Sequence, residues 1–174
     1  MAIQLAKKLA GLTVIATASR PESGAWCKRL GADHVVDHSG DMAAQLAAIG
    51  VADVDYILCL NDTDRHFPAM AQLIAPQGKI CSIVRNESPL ALEELFSKSA
   101  TFVFELMFTR SMFGTADMQE QHVLLNEVAR LVDEGVLETT FNESFGAINA
   151  ANVARAHAAL EGRRTVGKIV LAGF

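Results

Sequence analysis

The sequence predicts an α/β protein, a parallel sheet with helices on both faces. Helix-period segments and strand-like segments alternate along the chain. Two of the strand segments, "DYILCL" at 55–60 and "KICSIV" at 79–84, are almost wholly apolar, the pattern of strands covered on both faces. Glycines stand where successive helices should stop, at Gly11, Gly31 and Gly50. Strand, helix, strand, helix in this order implies right-handed crossovers and parallel pairing.

Taken in order, Ile3, Ala6, Leu9 and Ala10 keep a helical apolar stripe that Gly11 ends. Residues 13–18 form a β-branched-rich strand, 22–30 a short helix closed by Gly31, and 34–37 a short strand. Residues 42–49 are helical up to Gly50, 55–60 form a strand, and 66–75 a helix. Pro76 and Gly78 then make the turn into strand 79–84. In the second half, 90–99 is helical and 101–106 a strand. Residues 118–134 form a long amphipathic helix with Val128, Leu131 and Val132 on its apolar side, stopped by Gly135. Residues 138–141 are extended, Asn149 caps a helix over 150–161 that Gly162 ends, and 168–171 is the last strand. Phe102, Phe104, Phe108 and Phe113 read most simply as core, and the same stretch suits an interface.

A length of 174 residues suits one domain with an appendage, and 51% hydrophobic content is ample for a core. A formal charge of -5 argues against nucleic acid or an anionic membrane as the main partner. No apolar stretch reaches the roughly 18 residues of a membrane-spanning helix. Cys27, Cys59 and Cys81 are odd in number and each falls in an expected helix or strand. That argues against a disulfide framework and for a reducing, cytoplasmic setting. Residues 1–23 also have the outline of a secretory leader: Lys7 and Lys8, an apolar run, then Ala16-Thr17-Ala18. The downstream alternation instead makes them the first helix and strand of the repeat.

Open parallel sheets bind ligands at the carboxyl ends of their strands. Ser19 and Arg20 end the first strand. In a dinucleotide-binding fold an acidic residue there holds the adenosine ribose 2′-hydroxyl, whereas an Arg suits a 2′-phosphate that a carboxylate would repel. The pair therefore suggests NADP (NADPH) rather than NAD. A plainer reading is that Ser19-Arg20-Pro21-Glu22 only caps the next helix, with Pro in the first turn and Glu favourable to the dipole. The residues alone leave both open.

Five stretches, "AIQLAKKLAGLTVIATASRPES", "WCKRLGADHVVDH", "LIAPQGKICSIV", "LLNEVARLVDEGVLETTF" and "GKIVLAGF", carry a more specific signal. Together they resemble the cofactor-binding part of the medium-chain dehydrogenase/reductase superfamily, most closely its zinc-type alcohol dehydrogenase-like and quinone oxidoreductase branch. The likeness runs in collinear order over essentially the whole chain. It implies a Rossmann-like fold and NADPH-dependent hydride transfer to a carbonyl or an activated double bond, such as a quinone or enone. By resemblance Ser19 and Arg20 meet the 2′-phosphate, Leu60, Asn61 and Val84 line the adenosine-to-nicotinamide groove, and Lys168 approaches the pyrophosphate. Plainer readings are core for Leu60 and Val84, a turn residue for Asn61, and a solvated charge for Lys168. The resemblance also implies a division into a truncated dinucleotide-binding domain at 1–136 and a segment at 137–174 that returns to a catalytic domain. It implies a small-molecule substrate, and a homodimer joined through edge strands or a strand-exchanged oligomer.

The chain departs from that family in what it lacks. None of its 12 glycines makes the G-x-G-x-x-G turn, and the family's preceding strand, catalytic domain and zinc ligands are not found in it. Its cysteines and His34, His38, His66, His122 and His157 form no close C-x-x-C or H-x-x-x-H group, so zinc is not expected on this chain. No residue stands out as a general acid. The expectation is a cofactor-binding portion that catalyses little alone. The rivals are a non-catalytic NADP-responsive or partner-binding module and an S-adenosylmethionine transferase, which Arg20 disfavours. In the Rossmann strand order the absent first strand lies between 13–18 and 55–60, leaving donors and acceptors unpaired at about 1–3 kcal/mol each where buried. The tail "KIVLAGF" at 168–174 is expected to fill that place. A neighbouring strand closing up, or a segment from another copy, are the alternatives.

Overall fold

The computed structural model describes residues Met1–Phe174. Every paired strand is parallel, as the alternation predicts. The chain divides into two compact units, Met1–Val36 with His122–Phe174, and Asp37–Gln121.

The first unit begins with α1 (Ala2–Lys8), β1 (Ile15–Thr17), α2 (Pro21–Arg29) and β2 (His34–Val36). Its buried apolar side chains include Leu30, Ala32, Val36, Leu131, Leu137 and Ala156. The expected apolar stripe of α1 is not what this helix buries: Leu9 is 52% exposed, whereas Gln4 is fully buried. The reason is a backbone partner. Gln4 Nε2 donates to the Glu138 carbonyl at 2.9 Å and Gln4 Oε1 accepts from the Glu138 amide at 2.8 Å, so a polar side chain is sealed in without an unmade bond.

In the second unit α3 (Met42–Ala48), capped by the Asp41 carboxylate, precedes β3 (Val54–Cys59), α4 (Thr63–Leu73) and β4 (Ile74–Ser82). A 3₁₀ helix (Leu92–Lys98), β5 (Thr101–Phe104) and the short α5 (Thr109–Phe113) follow, and the sheet order is β3-β4-β5. Ile57, Cys59, Ile80 and Phe102 face one way and pack with Phe67, Met70, Ala71, Ile74 and Leu95. Burial on both faces, expected for β3, does not hold: Tyr56, Leu58 and Leu60 are 50–62% exposed. Alternate strand residues point to opposite faces, and α4 and the 3₁₀ helix cover only one of them in this unit. Phe102 packs on the core, but Phe104, Phe108 and Phe113 are exposed, so the Phe-rich run is not core as a whole. Gly78 stands where the β3–β4 register shifts, and a Cβ there would lie 2.9 Å from the Ala75 backbone oxygen, so the close approach favours glycine.

The chain returns to the first unit through α6 (Glu120–Asp133), β6 (Phe141–Ser144), α7 (Ala150–Glu161) and β7 (Lys168–Val170). Asn149 caps α7, accepting from the Asn152 amide at 2.8 Å, as its position predicts. The tail does not fill a place beside β1 or β3. β7 pairs with β6, while β1 pairs only with β2 and β3 only with β4. β6 offers a register that β7 enters directly: Lys168 N donates to the Thr140 carbonyl at 2.7 Å and Phe145 N to the Val170 carbonyl at 2.9 Å. Gly167, at φ +69°, makes the approach possible, since a Cβ there would lie 2.7 Å from the Thr140 oxygen.

Candidate functional site

β1 makes its last ladder bond from Ala18 N to the Val36 carbonyl, 2.9 Å, and the chain then leaves the sheet through Ser19 and Arg20. Ser19 is exposed. Arg20 is the N-cap residue of α2 with an extended backbone, and its side chain makes no capping bond. Pro21 opens the helix and Glu22 lies in its first turn, so the capping reading holds for these two residues. The Arg20 guanidinium is used elsewhere: Nη1 donates to the Arg164 carbonyl at 3.0 Å. Beside it lies a cavity of about 380 Å³ lined by Arg20, Glu22, Asn142, Glu143, Arg164 and Thr165, among others. Arg164 escaped the sequence reading, although the Arg163-Arg164 pair just before Thr165 was a visible cluster of charge.

Lys168 does not join this cavity. Exposed on β7, it lines a separate one of about 490 Å³ together with His157 and Arg163, over an apolar floor that includes Val153, Leu160 and Leu171.

In the second unit, Leu60-Asn61 and Val84 follow the adjacent carboxyl ends of β3 and β4, whose last pair is Cys59 with Ser82. Leu60 is 54% exposed, so it is not core, and Asn61 is exposed in the turn before α4. Asp62 takes a left-handed conformation there, φ 47°, and its carboxylate caps α4 at Arg65 N. The Val84 carbonyl accepts from Thr63 Oγ1 at 2.5 Å. The Asp64 carboxylate accepts from the amides of Glu87 and Ser88, each at 2.8 Å, and these bonds hold its pKa below the usual carboxylate range.

Two histidines distant in sequence come together. The rings of His38 and His66 meet edge to face with centroids 5.9 Å apart. Burial, then the charges of His38 and Arg65, pull the His66 pKa down. No third ligand joins them, and no group of three or more His, Cys, Asp or Glu residues could hold a metal ion. The donor set therefore does not fit zinc. Cys27, Cys59 and Cys81 are free thiols, and burial pushes Cys27 and Cys81 upward, which keeps them protonated at neutral pH.

The sequence profile of the zinc-binding dehydrogenases matches residues 30–171. The chain belongs to the zinc-binding dehydrogenase family. A zinc-type alcohol dehydrogenase-like protein of Staphylococcus aureus is 38% identical to it over 171 residues, 98% of this chain and 51% of the relative. A quinone oxidoreductase of Pseudomonas aeruginosa is 30% identical over 179 residues, again 98% of this chain and 51% of the relative. The crystal structure of a candidate zinc-dependent alcohol dehydrogenase from Rhizobium etli superposes with a TM-score of 0.91 at 48% identity, covering 99% of this chain and 50% of that one. This zinc-binding dehydrogenase chain thus spans about half the length of the curated relatives it matches. It corresponds to the Rossmann-like, cofactor-binding part of the medium-chain dehydrogenase/reductase superfamily, in the zinc-type alcohol dehydrogenase-like and quinone oxidoreductase branch. No helix is long and apolar enough to cross a membrane.

Proposed function

We propose that this chain is the NADPH-binding portion of an oxidoreductase that transfers hydride to a quinone, enone or carbonyl compound. The observation that carries the reading is Arg20, three residues beyond the end of β1, with its guanidinium on a cavity that Arg164 and Thr165 also line. One of its N–H groups is spent on the Arg164 carbonyl. Those left form a planar fork suited to phosphate oxygens. Glu22 and Glu143 line the same cavity, so the arginine forks, and not a net positive field, must recognise the 2′-phosphate.

NADPH, when bound, supplies the hydride. The chain's own residues bind and orient it. Ser19 and Arg20 take the adenosine 2′-phosphate, with Arg164 added. By family resemblance Leu60, Asn61 and Val84, all in the second unit, are the residues that line the groove for the rest of the cofactor, and the exposed Lys168 ammonium of the first unit is the one that attracts the pyrophosphate. None of these groups holds or moves a proton, so the chain contributes orientation rather than polarisation of the acceptor. On this reading residues 1–136 are the dinucleotide-binding part and 137–174 the segment returning toward a catalytic part, in a reducing, cytoplasmic compartment. The second partner is another copy of the chain. β5 has a free edge of Thr101–Phe104 without a charged residue, next to the exposed Phe108, Met112 and Phe113, and such edges invite pairing. Sedimentation should give a dimer, and a monomer at every concentration tested would reject that partner.

The deciding experiment titrates NADPH and NADH into the wild-type chain and Arg20→Glu at low and high salt. NADPH binding should fall far more than NADH binding, and the difference should shrink with salt, because an exposed phosphate contact is screened. Equal loss of both cofactors would dismiss the NADPH assignment. The portion alone should bind NADPH weakly and turn over little, so tight NADPH binding with no turnover of any quinone or enone would instead favour a non-catalytic, NADP-responsive module.

A further inference from the structure

We propose that Thr63 and Asp64, the first two residues of α4, are positioning residues that set the geometry of the loop from Val84 to Ser88 and, through it, the fit of the nicotinamide half of the cofactor. The inference rests on the reading above in which Val84 lines the cofactor groove, and it assigns the residues that place Val84.

β4 ends at Ser82, and the last backbone bond tying its continuation to β3 runs from Ile83 N to the Cys59 carbonyl, 3.1 Å. Beyond that point the loop has no strand partner and would be free to sample many conformations. It is held instead at two places by one helical turn. Thr63 and Ser82 are both fully buried, and their hydroxyls lie 2.6 Å apart. The Val84 carbonyl accepts from Thr63 Oγ1 at 2.5 Å and lies 3.1 Å from Ser82 Oγ, while Val84 N donates to Ser82 Oγ at 3.2 Å. Further along, the two oxygens of Asp64 take the amides of Glu87 and Ser88 separately. The helical turn that carries both residues is itself fixed by the Asp62 cap.

This arrangement has a directional consequence. Across a planar trans peptide the carbonyl of one residue and the N–H of the next point opposite ways, and the chain has no cis peptide bond. Drawing the Val84 carbonyl inward to Thr63 therefore turns the Arg85 N–H outward at the carboxyl end of β4, and no acceptor within the protein takes it. A peptide oriented in this way can meet a ligand. The same peptide released from Thr63 could rotate and lose that direction. An apolar pair in place of Thr63 and Ser82 would fill the volume but leave the Val84 carbonyl and amide without these partners, so the two hydroxyls fix this peptide's direction.

The test uses the full chain and three ligands: NADPH, NADH and adenosine 2′,5′-bisphosphate, which contains only the phosphorylated adenosine end. Thr63→Val keeps the shape and removes the donor. It should weaken NADPH and NADH by about tenfold, the size expected for one buried hydrogen bond to a loop peptide, and leave the bisphosphate unchanged. Thr63→Ser should restore NADPH affinity. Asp64→Ala should act in the same direction and speed amide exchange at Glu87 and Ser88. Unchanged NADPH affinity in both Thr63→Val and Asp64→Ala would overturn the inference while leaving the proposed function intact. Equal loss of all three ligands would overturn it as well, because a merely structural defect spares none of them. A wild-type chain that binds neither dinucleotide would overturn the proposed function and this inference with it.

Discussion

Both compact units bury apolar side chains, but they differ in what bridges the stretches of chain that lie far apart in sequence. Asp37–Gln121 is one continuous stretch of chain, and its interior is a contact cluster of Cys59, Phe67, Met70, Ala71, Ile74, Ile80 and Leu95. The other unit joins two stretches far apart in sequence, and polar bonds stitch them. Gln4 pairs with both backbone groups of Glu138, Lys8 Nζ donates to the Val136 carbonyl at 2.7 Å, Arg29 meets the Glu138 carboxylate at 3.4 Å, and Arg20 holds the Arg164 carbonyl. Burial is non-directional and tolerates small shifts, whereas a hydrogen bond requires its partner at a set distance and angle. The comparison predicts that core truncation injures the second unit most, and that the first fails by losing single polar partners.

The largest effect should come from Ile80, fully buried at the centre of the second unit's sheet between Ile57 and Phe102. Ile80→Ala removes three carbons from a close-packed site and should cost about 2–5 kcal/mol in urea unfolding. A loss below about 1 kcal/mol would mean that the cavity collapses freely, and that this core is looser than its burial implies.

Next in size is Gln4. Gln4→Leu keeps much of the volume but leaves the Glu138 N–H and carbonyl without partners, which should cost about 1–3 kcal/mol for partly buried groups. Amide exchange at Glu138 should quicken with it. If the variant is as stable as wild type, water satisfies Glu138 and the polar stitch is not what joins the two chain segments.

The same contrast governs what could be read from the sequence. Periodicity found nearly every strand, and α7 emerged with its Asn149 cap and its end at Glu161, because apolar spacing and short-range capping are local properties. The start of α4 was read at His66 and lies at Thr63. Asp62 caps it from a left-handed backbone conformation and Pro68 interrupts the expected helical pattern, so the usual signals conflict. Gln4 as the buried residue of α1 was invisible, since its partner lies 134 residues away. The pairing of β7 with β6 is hidden for a related reason: the pattern points to an extended segment at 138–141, but β6 runs over Phe141–Ser144, so the strand that receives the tail has no clear place in the sequence. Of the proposed site residues, Ser19 and Arg20 follow from the rule that strand ends bind ligands, and Leu60, Asn61 and Val84 from the family resemblance; in the structure these five follow the carboxyl ends of β1, β3 and β4. The Arg163-Arg164 pair is a visible cluster of charge without an address, whereas the turn Thr63-Asp64 depends on side-chain geometry that no pattern carries.

The smallest expected effect, and the one most specific to the polar unit, is electrostatic. Asp33, just before β2, ties α1 to the residue that precedes β1: Lys7 Nζ lies 2.6 Å from one carboxylate oxygen and Val14 N donates to the other at 2.8 Å. The Lys7 bond first, then the Val14 amide, lowers its pKa below the ordinary carboxylate value. A depressed folded-state pKa means that the unfolded chain binds the proton more readily, so the stabilisation is complete above the unfolded pKa of about 4 and is lost as pH falls through the lower, folded value. Wild type should therefore lose stability on acidification in that window, and Asp33→Asn should flatten this limb while changing little at neutral pH, because the pair is solvent-accessible and screened. Protection of the Val14 amide relative to its intrinsic exchange rate, followed between pH 5 and pH 3, separates the outcomes. If that protection is lost equally in wild type and Asp33→Asn, the carboxylate charge is not what ties Asp33 to Lys7 and Val14, and the stitching of the first unit reduces to its uncharged bonds.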